Sequence, residues 1–323
     1  MDMTRKLGRS DIDAGMIGIG CWAIGGDSYG EIDDNESIRA IRRALDLGVK
    51  LIDTANCYGS GHSETVVGSA LAGRRHEAVI ATKFGFGEEC ELVSKGGREC
   101  TEAVKRACEQ SLKRLNTDYI DLYQLHQGAL DGAPVDDVIK ALEELLSAGK
   151  IRAFGWSTDT PENARRFAGL EHCAAIQYQL NMFYDNAEIT RICEESGVTG
   201  LVRGPLAMGS LTGKYNAAPA LGDTDVRGRN IIWVPYFSDG KMRPEFTEKL
   251  DAVRGILTSG GRTLAQGALA WIWAKSKNAV PIPGFKSVKQ VEENTGALKF
   301  GPLEPGQMKE IASLIPPLAW TQM

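Results

Sequence analysis

Short apolar runs recur along this chain, and each is followed by a stretch whose apolar positions return every three or four residues. The runs are GMIGIG, KLIDTA, AVIATK, YIDLYQLH, IRAFGWS, AAIQYQL, TGLVRGP and AVPIPG. Continuous runs of this length read as strands buried on both faces, as in parallel sheets. The stretches between them include ESIRAIRRALDLG, SETVVGSALAG, CTEAVKRACEQSLKRLN, VDDVIKALEELLSAGK and PENARRFAGL. Their spacing is that of amphipathic helices, and several end in the glycine or asparagine that stops a helix. Strand and helix alternating eight times predict an α/β fold of the (β/α)8 TIM-barrel type. Periodicity alone does not separate this from an open doubly wound sheet, but eight units over this length favour the closed barrel.

Two stretches break the alternation. TRKLGRSDIDAG, at the N-terminus, has the glycine and Asx residues of a tight β-hairpin, which would cap one end of the barrel. After the seventh strand, a long irregular segment between Tyr215 and Pro244 carries Trp233, Tyr236 and Phe237. A loop of that length inside a compact fold is usually a lid or a substrate loop.

At 323 residues, 43% apolar and 24% charged, the chain could form one large barrel or two ordinary domains. No Pro/Ser-rich linker divides it, so a single domain over residues 1–323 is expected. The net charge is −5 and no basic block stands out, which weighs against nucleic acid or an anionic membrane as partner and leaves a small molecule. The start, MDMTRKLGRSDIDAG, lacks the apolar core of a signal peptide, and no apolar run approaches the length of a membrane span, so a cytoplasmic location is expected. The seven cysteines are scattered without a CxxC pair and read as free thiols. The four histidines lie far apart with no HxH or HExxH spacing, so no metal site is expected, and His62 in GSGHSE reads as a capping or surface residue. Oligomeric state stays open.

In a parallel barrel the reactive side chains project from the C-terminal ends of the strands. Three consecutive runs each offer one: Asp53 from LIDTANCYG, with Tyr58 just beyond it; Lys83 from VIATKFG; and His126 from LYQLHQ. Singly each has an ordinary reading, as a helix cap, a structural ion pair, a satisfied aromatic or a core histidine. Together they make chemical sense. A phenol is a weak acid near pKa 10, and a lysine ammonium beside it would stabilise the phenolate while Asp53 holds the lysine. Tyr58 could then protonate a developing alkoxide or take the proton back in reverse, with His126 orienting the carbonyl.

These segments carry a family resemblance. LIDTANCYGSGHSE, VIATKFG, LYQLH, GWST, GPLAMGSLTGKY and PIPGFKSVKQVEEN occur in the order and spacing of the aldo-keto reductase superfamily, especially its bacterial and potassium-channel β-subunit-like branches. The match covers nearly the whole chain. It implies a nicotinamide-dependent oxidoreductase that interconverts aldehydes or ketones, sugar-like carbonyls included, with alcohols, and in which Asp53, Tyr58, Lys83 and His126 form the catalytic tetrad with Tyr58 as general acid/base.

The resemblance also implies where the cofactor binds. The family holds NADP(H) at the barrel mouth without a Rossmann fold, and this chain has no GxGxxG at a strand–helix turn. Ser157, Thr158 and Gln177 would face the nicotinamide carboxamide, with Cys21, Trp22 and Asp53 close by. Gly204, Pro205, Leu206, Ala207, Met208 and Gly209, followed by Ser210 and Lys214, would grip the pyrophosphate. Gly284, Lys286, Gln290, Glu293 and Asn294 would hold the adenosine end. A helix N-terminus with a lysine beside it suits a phosphate, so Lys286 favours NADP(H) over NAD(H).

Where many relatives place a tyrosine or tryptophan that stacks on the nicotinamide, this chain has Arg203. A guanidinium can also stack, but its charge would disfavour the cationic, oxidised ring unless a carboxylate or substrate group compensates it. Trp22, Phe84, Phe86, Trp156, Trp233, Tyr236 and Phe237 are the aromatics suited to line the mouth. Cys57 precedes Tyr58 and reads as an inert thiol. Three rival readings remain: a redox sensor that binds cofactor without turnover, a redox-neutral sugar epimerase or dehydratase, and an aldolase with Lys83 as Schiff-base nucleophile.

Overall fold

The computed structural model describes residues 4–316 and 318–319, apart from 88 and 217. Eight parallel strands follow one another in chain order: β1 Gly18–Gly20, β2 Leu51–Asp53, β3 Val79–Phe84, β4 Ile120–Leu125, β5 Ile151–Ser157, β6 Cys173–Gln179, β7 Thr199–Arg203 and β8 Ala279–Pro281. Each coincides with one of the eight apolar runs, β3 running one residue past its run to Phe84 and β6 starting one residue early at Cys173. The ring closes where Gly20 bridges Gly284 and donates its N–H to Pro283 O at 3.0 Å. Helices lie between consecutive strands, and the first shows why. Asp33 caps it by accepting from Asn35 N and Glu36 N, and a buried stripe of Ser37, Ala40, Ile41, Ala44 and Leu45 lies along Asp34–Asp46.

Alternation along the strands sorts side chains into two cores. Leu51, Ala81, Leu122, Ala153, Ala175, Leu201 and Val280 point into the barrel. Their neighbours Ile52, Ile80, Tyr123, Phe154, Ile176 and Val202 point outward beneath the helices. The N-terminal hairpin plugs the bottom as expected. It is too short for regular strands, with one antiparallel bridge between Lys6 and Asp13, but Leu7, Ile12 and Ala14 join the interior core. Arg5 Nη1 also donates to Ala279 O at 2.6 Å.

The segment after β7 has more order than its sequence suggests. It contains a 3-10 turn at Val226–Gly228 and an antiparallel pair, Phe237–Ser238 with Lys241–Met242. It also reaches the loop after β1, where Tyr29 bridges Asp225 and Val226 N donates to Ser28 O at 2.7 Å. Among the described residues no helix is long and apolar enough to cross a membrane.

Candidate active site

The inward parity that fills the barrel with alanine and leucine turns polar at the top. Two residues beyond Leu51, Ala81, Leu122 and Ala175 stand Asp53, Lys83, Gln124 and Gln177, all buried. Lys83 Nζ lies 2.6 Å from Asp53 Oδ1, 2.7 Å from Thr54 O and 3.4 Å from Tyr58 Oη. Asp53 Oδ2 accepts from Gln177 Nε2 at 2.8 Å and Gln124 Nε2 at 3.3 Å. Burial opposes the Lys83 ammonium, but Asp53 and Tyr58 outweigh it and raise the lysine above its ordinary pKa. Burial pushes the Tyr58 phenol up to about 12, with Lys83 pulling it back. Tyr58 therefore carries its proton at neutral pH. Burial, then the charges of Lys83 and Arg203, hold His126 well below the usual imidazole range, so this ring is neutral. It meets the Tyr58 ring edge-on at 6.1 Å. Cys57 Sγ lies 3.6 Å from His126 Nδ1, but burial raises this thiol to about 11, which fits the inert reading.

The loop that carries Tyr58 is held by two backbones in close approach. Gly59 has φ 57°, and a Cβ there would come within 2.0 Å of Gly25 O. Its N–H donates to Asp27 Oδ2 at 3.1 Å. Gly59→Ala is therefore expected to cost about 2–4 kcal/mol, from the left-handed backbone and the clash together. Any carbonyl reduction should fall by more than about tenfold as Tyr58 moves. Thermal melts and turnover measured on one preparation check both, and a variant unchanged in each would show that the two loops are not tightly coupled.

A cleft of about 1020 Å³ opens over this polar layer. Every residue expected at the cofactor site borders it except Ala207 and Ser210, which are fully buried beneath it. Lys83 is likewise fully buried, with its ammonium enclosed by Asp53, Thr54 O and Tyr58, so the geometry gives an aldolase nucleophile no support.

The turn expected to grip the pyrophosphate has the shape of an anion site. Ala207, Met208 and Gly209 all have positive φ, strain of a kind that collects at functional loops, and a Cβ on Gly209 would come within 2.9 Å of the Tyr215 ring. The Ser210 hydroxyl is buried beside the turn without a hydrogen-bond partner. Lys214, Arg227, Arg229 and Lys286 add cations to the same wall. Arg227 is fixed there, with Nε 2.8 Å from Asp225 Oδ1 and Nη1 3.0 Å from Met208 O. These donors suit a diphosphate. At the end expected to hold the adenosine, two N-terminal N–H groups of the helix Val288–Gly296 already have partners. Its Val288 N–H goes to Glu36 Oε1 at 2.8 Å and its Gln290 N–H to Ser287 Oγ. The Lys286 side chain stands beside it, with its Nζ 2.8 Å from Tyr29 O.

Arg203 does line the cleft, and a carboxylate does compensate it: its Nη2 pairs with Asp159, and its Nη1 donates to Gln179 Oε1 at 2.9 Å. Three expected aromatics are not at the mouth. Phe84, Trp156 and Phe237 are buried in the outer core. Phe84 and Trp156 follow or precede the inward Lys83 and Ser157 by one residue, so strand parity turns them outward. Trp22, Phe86, Trp233 and Tyr236 do border the cleft. Sequence reasoning missed Gln124, Asp159, Gln179 and Arg227. Parity two residues beyond Leu122 would have found Gln124.

The profile of the aldo/keto reductase family matches residues 16–316. An aldo-keto reductase of Schizosaccharomyces pombe whose name specifies NADP(+) is 32% identical over 315 residues, covering 95% of this chain and 90% of its own. The structure of a glycerol dehydrogenase from Gluconobacter oxydans superposes with a TM-score of 0.81 at 30% identity, covering 100% of this chain and 99% of its own. An aldo-keto reductase from Klebsiella pneumoniae in complex with NADPH superposes with a TM-score of 0.72 at 26% identity, covering 98% and 96%. The chain belongs to the aldo/keto reductase family and is an oxidoreductase.

Proposed function

We propose that this enzyme binds NADP(H) in preference to NAD(H) and interconverts an aldehyde or ketone with its alcohol, with Tyr58 as the general acid/base. The observation that carries the reading is Tyr58 Oη, 3.4 Å from a fully buried Lys83 ammonium that is itself 2.6 Å from Asp53, at the floor of the open cleft. The NADP(+) in the name of the fission-yeast relative and the NADPH bound to the Klebsiella relative support the choice of cofactor.

When bound, the nicotinamide supplies or accepts the hydride. The chain's own residues do the rest. In reduction, Tyr58 gives its proton to the oxygen of the carbonyl as negative charge develops there, and Lys83 stabilises the phenolate left behind. Asp53 keeps Lys83 charged and in place. His126, neutral, contributes a hydrogen bond to the same oxygen rather than a second charge. Gln177 donates to Asp53 and Gln124, which leaves its carbonyl oxygen as acceptor for the carboxamide beside the Ser157 hydroxyl. Thr158 donates to Gly128 O at 2.6 Å and shapes the wall. Phe86, Trp22 and Trp233 give the substrate end apolar walls, which suits a small organic carbonyl.

Titration with NADPH and NADH, followed by a panel of aldehydes, ketones and keto-sugars, tests the reading. Tighter NADPH binding and cofactor consumption with at least one carbonyl are expected, whereas no nicotinamide binding would overturn it. Lys286→Met sharpens the test of cofactor choice. It is expected to weaken NADPH about tenfold while leaving NADH within about twofold, because only NADPH carries the extra phosphate for a charge-assisted contact. Equal weakening of both would place Lys286 elsewhere.

A further inference from the structure

The Asp159–Arg203 pair serves no step of the chemistry above, yet it is built with care into the cleft wall. Arg203 ends β7 in register with Gln179, which ends β6, and Ser157 ends β5 in register with Gln177, two residues before the end of β6. Its guanidinium is partly exposed in the cleft. The position is fixed from below. Gln179 accepts from Arg203 through Oε1 and donates from Nε2 to Tyr236 Oη at 3.2 Å. Asn181 Nδ2 donates to the same hydroxyl at 2.8 Å and to Gly204 O at 3.1 Å. Gly204 has φ +61°, and a Cβ there would lie 2.4 Å from Gln179 Nε2, so the residue after Arg203 must be this small.

Asp159 is equally fixed. Its Oδ1 accepts from Gln179 N at 2.8 Å and from Asn186 Nδ2 at 3.3 Å, which leaves Oδ2 directed at Arg203. The carboxylate is nearly buried while the guanidinium is about a third exposed. A rigid planar cation thus faces the cleft with its charge answered from behind rather than from solvent. Its field still reaches the catalytic end, where it is among the charges that keep His126 neutral.

We infer that Asp159 is a positioning residue that neutralises Arg203 so that the cleft can hold the oxidised, cationic nicotinamide as well as the reduced, neutral one. The inference rests on the proposed nicotinamide site at the ends of β5, β6 and β7. With Asp159 uncharged, Arg203 presents a full positive charge, which repels the cationic ring and is indifferent to the neutral one. Asp159 therefore sets the balance between the two cofactor forms, and with it the ease of running the reaction towards alcohol oxidation.

The test is the ratio of dissociation constants, Kd(NADP+)/Kd(NADPH), measured by fluorescence titration on wild type, Asp159→Asn, Asp159→Glu and the double variant Asp159→Asn/Arg203→Gln. The ratio should rise about five- to tenfold in Asp159→Asn through weaker NADP+ binding, the size of one uncompensated charge in a half-exposed cleft. It should stay near wild type in Asp159→Glu and return to within about twofold in the double variant. A purely structural role for Asp159 would weaken both forms together and leave the ratio unmoved, and that result would overturn the inference while the proposed function stood. Wild type that binds neither form would overturn the function and the inference with it.

Discussion

Tyr58→Phe is expected to lower carbonyl reduction about 10²- to 10⁴-fold while NADPH affinity changes by less than about threefold. The phenylalanine ring keeps the packing of the tyrosine, including its stacking with Trp22 at 6.2 Å, and loses only the hydroxyl that lies 3.4 Å from Lys83 Nζ. Fold and cofactor cleft should survive, so the loss falls on proton transfer. In wild type the phenol, raised to about 12, is protonated throughout the neutral range. Reduction should therefore be nearly flat from pH 6 to 8, and alcohol oxidation, which needs the phenolate, should climb with pH. Turnover in both directions with cofactor titrations on the same protein checks this. A phenylalanine variant that kept its turnover would remove Tyr58 from the mechanism.

The second large effect is Lys83→Met, which should cost about 3–5 kcal/mol of stability and at least about 10² in turnover. Methionine fits the volume, but Asp53 would be left almost fully buried with only the amides of Gln124 and Gln177 facing it. Removing one member of a buried pair costs more than the pair contributes, because the remaining charge is stranded. The chemistry should respond with a definite sign. Lys83 pulls the Tyr58 pKa down, so its loss raises that pKa further. Alcohol oxidation at alkaline pH should thus fall more than reduction at neutral pH. Denaturation curves and pH–rate profiles read the two parts separately, and a stable variant with an unshifted profile would show that Lys83 does not act on Tyr58.

The barrel was legible in the sequence because strands buried on both faces must be continuously apolar, and each of the eight runs proved to hold a strand. The clustering of Asp53, Tyr58, Lys83 and His126 was legible because strand ends are where a barrel exposes polar groups, and Asp53, Lys83 and His126 interrupt apolar runs at those ends. Strand parity was legible but unread: it would have turned Phe84 and Trp156 outward and Gln124 inward. Other features had no local signal. Asp159 and Arg203 stand 44 residues apart, one in the loop after β5 and one at the end of β7, and only closure of the barrel brings them together. The Tyr215–Pro244 segment read as irregular because much of its order comes from Arg227, which reaches Met208 O, and from the bridge between Asp225 and Tyr29, contacts with the turn after β7 and the loop after β1, while its own strand pair is only two residues long on each side.

A redox sensor or a redox-neutral epimerase or dehydratase would bind its cofactor in this same cleft, and either parts from a reductase on a single point, the fate of the hydride. The most direct measurement follows deuterium from NADPH labelled at the transferring position of the nicotinamide, in a reaction with a carbonyl drawn from the panel. The expected result is alcohol carrying deuterium on the former carbonyl carbon, formed one-for-one with NADP+ and abolished in Tyr58→Phe. Tight NADPH binding with no net NADP+ formed, or product without the label, would contradict the account.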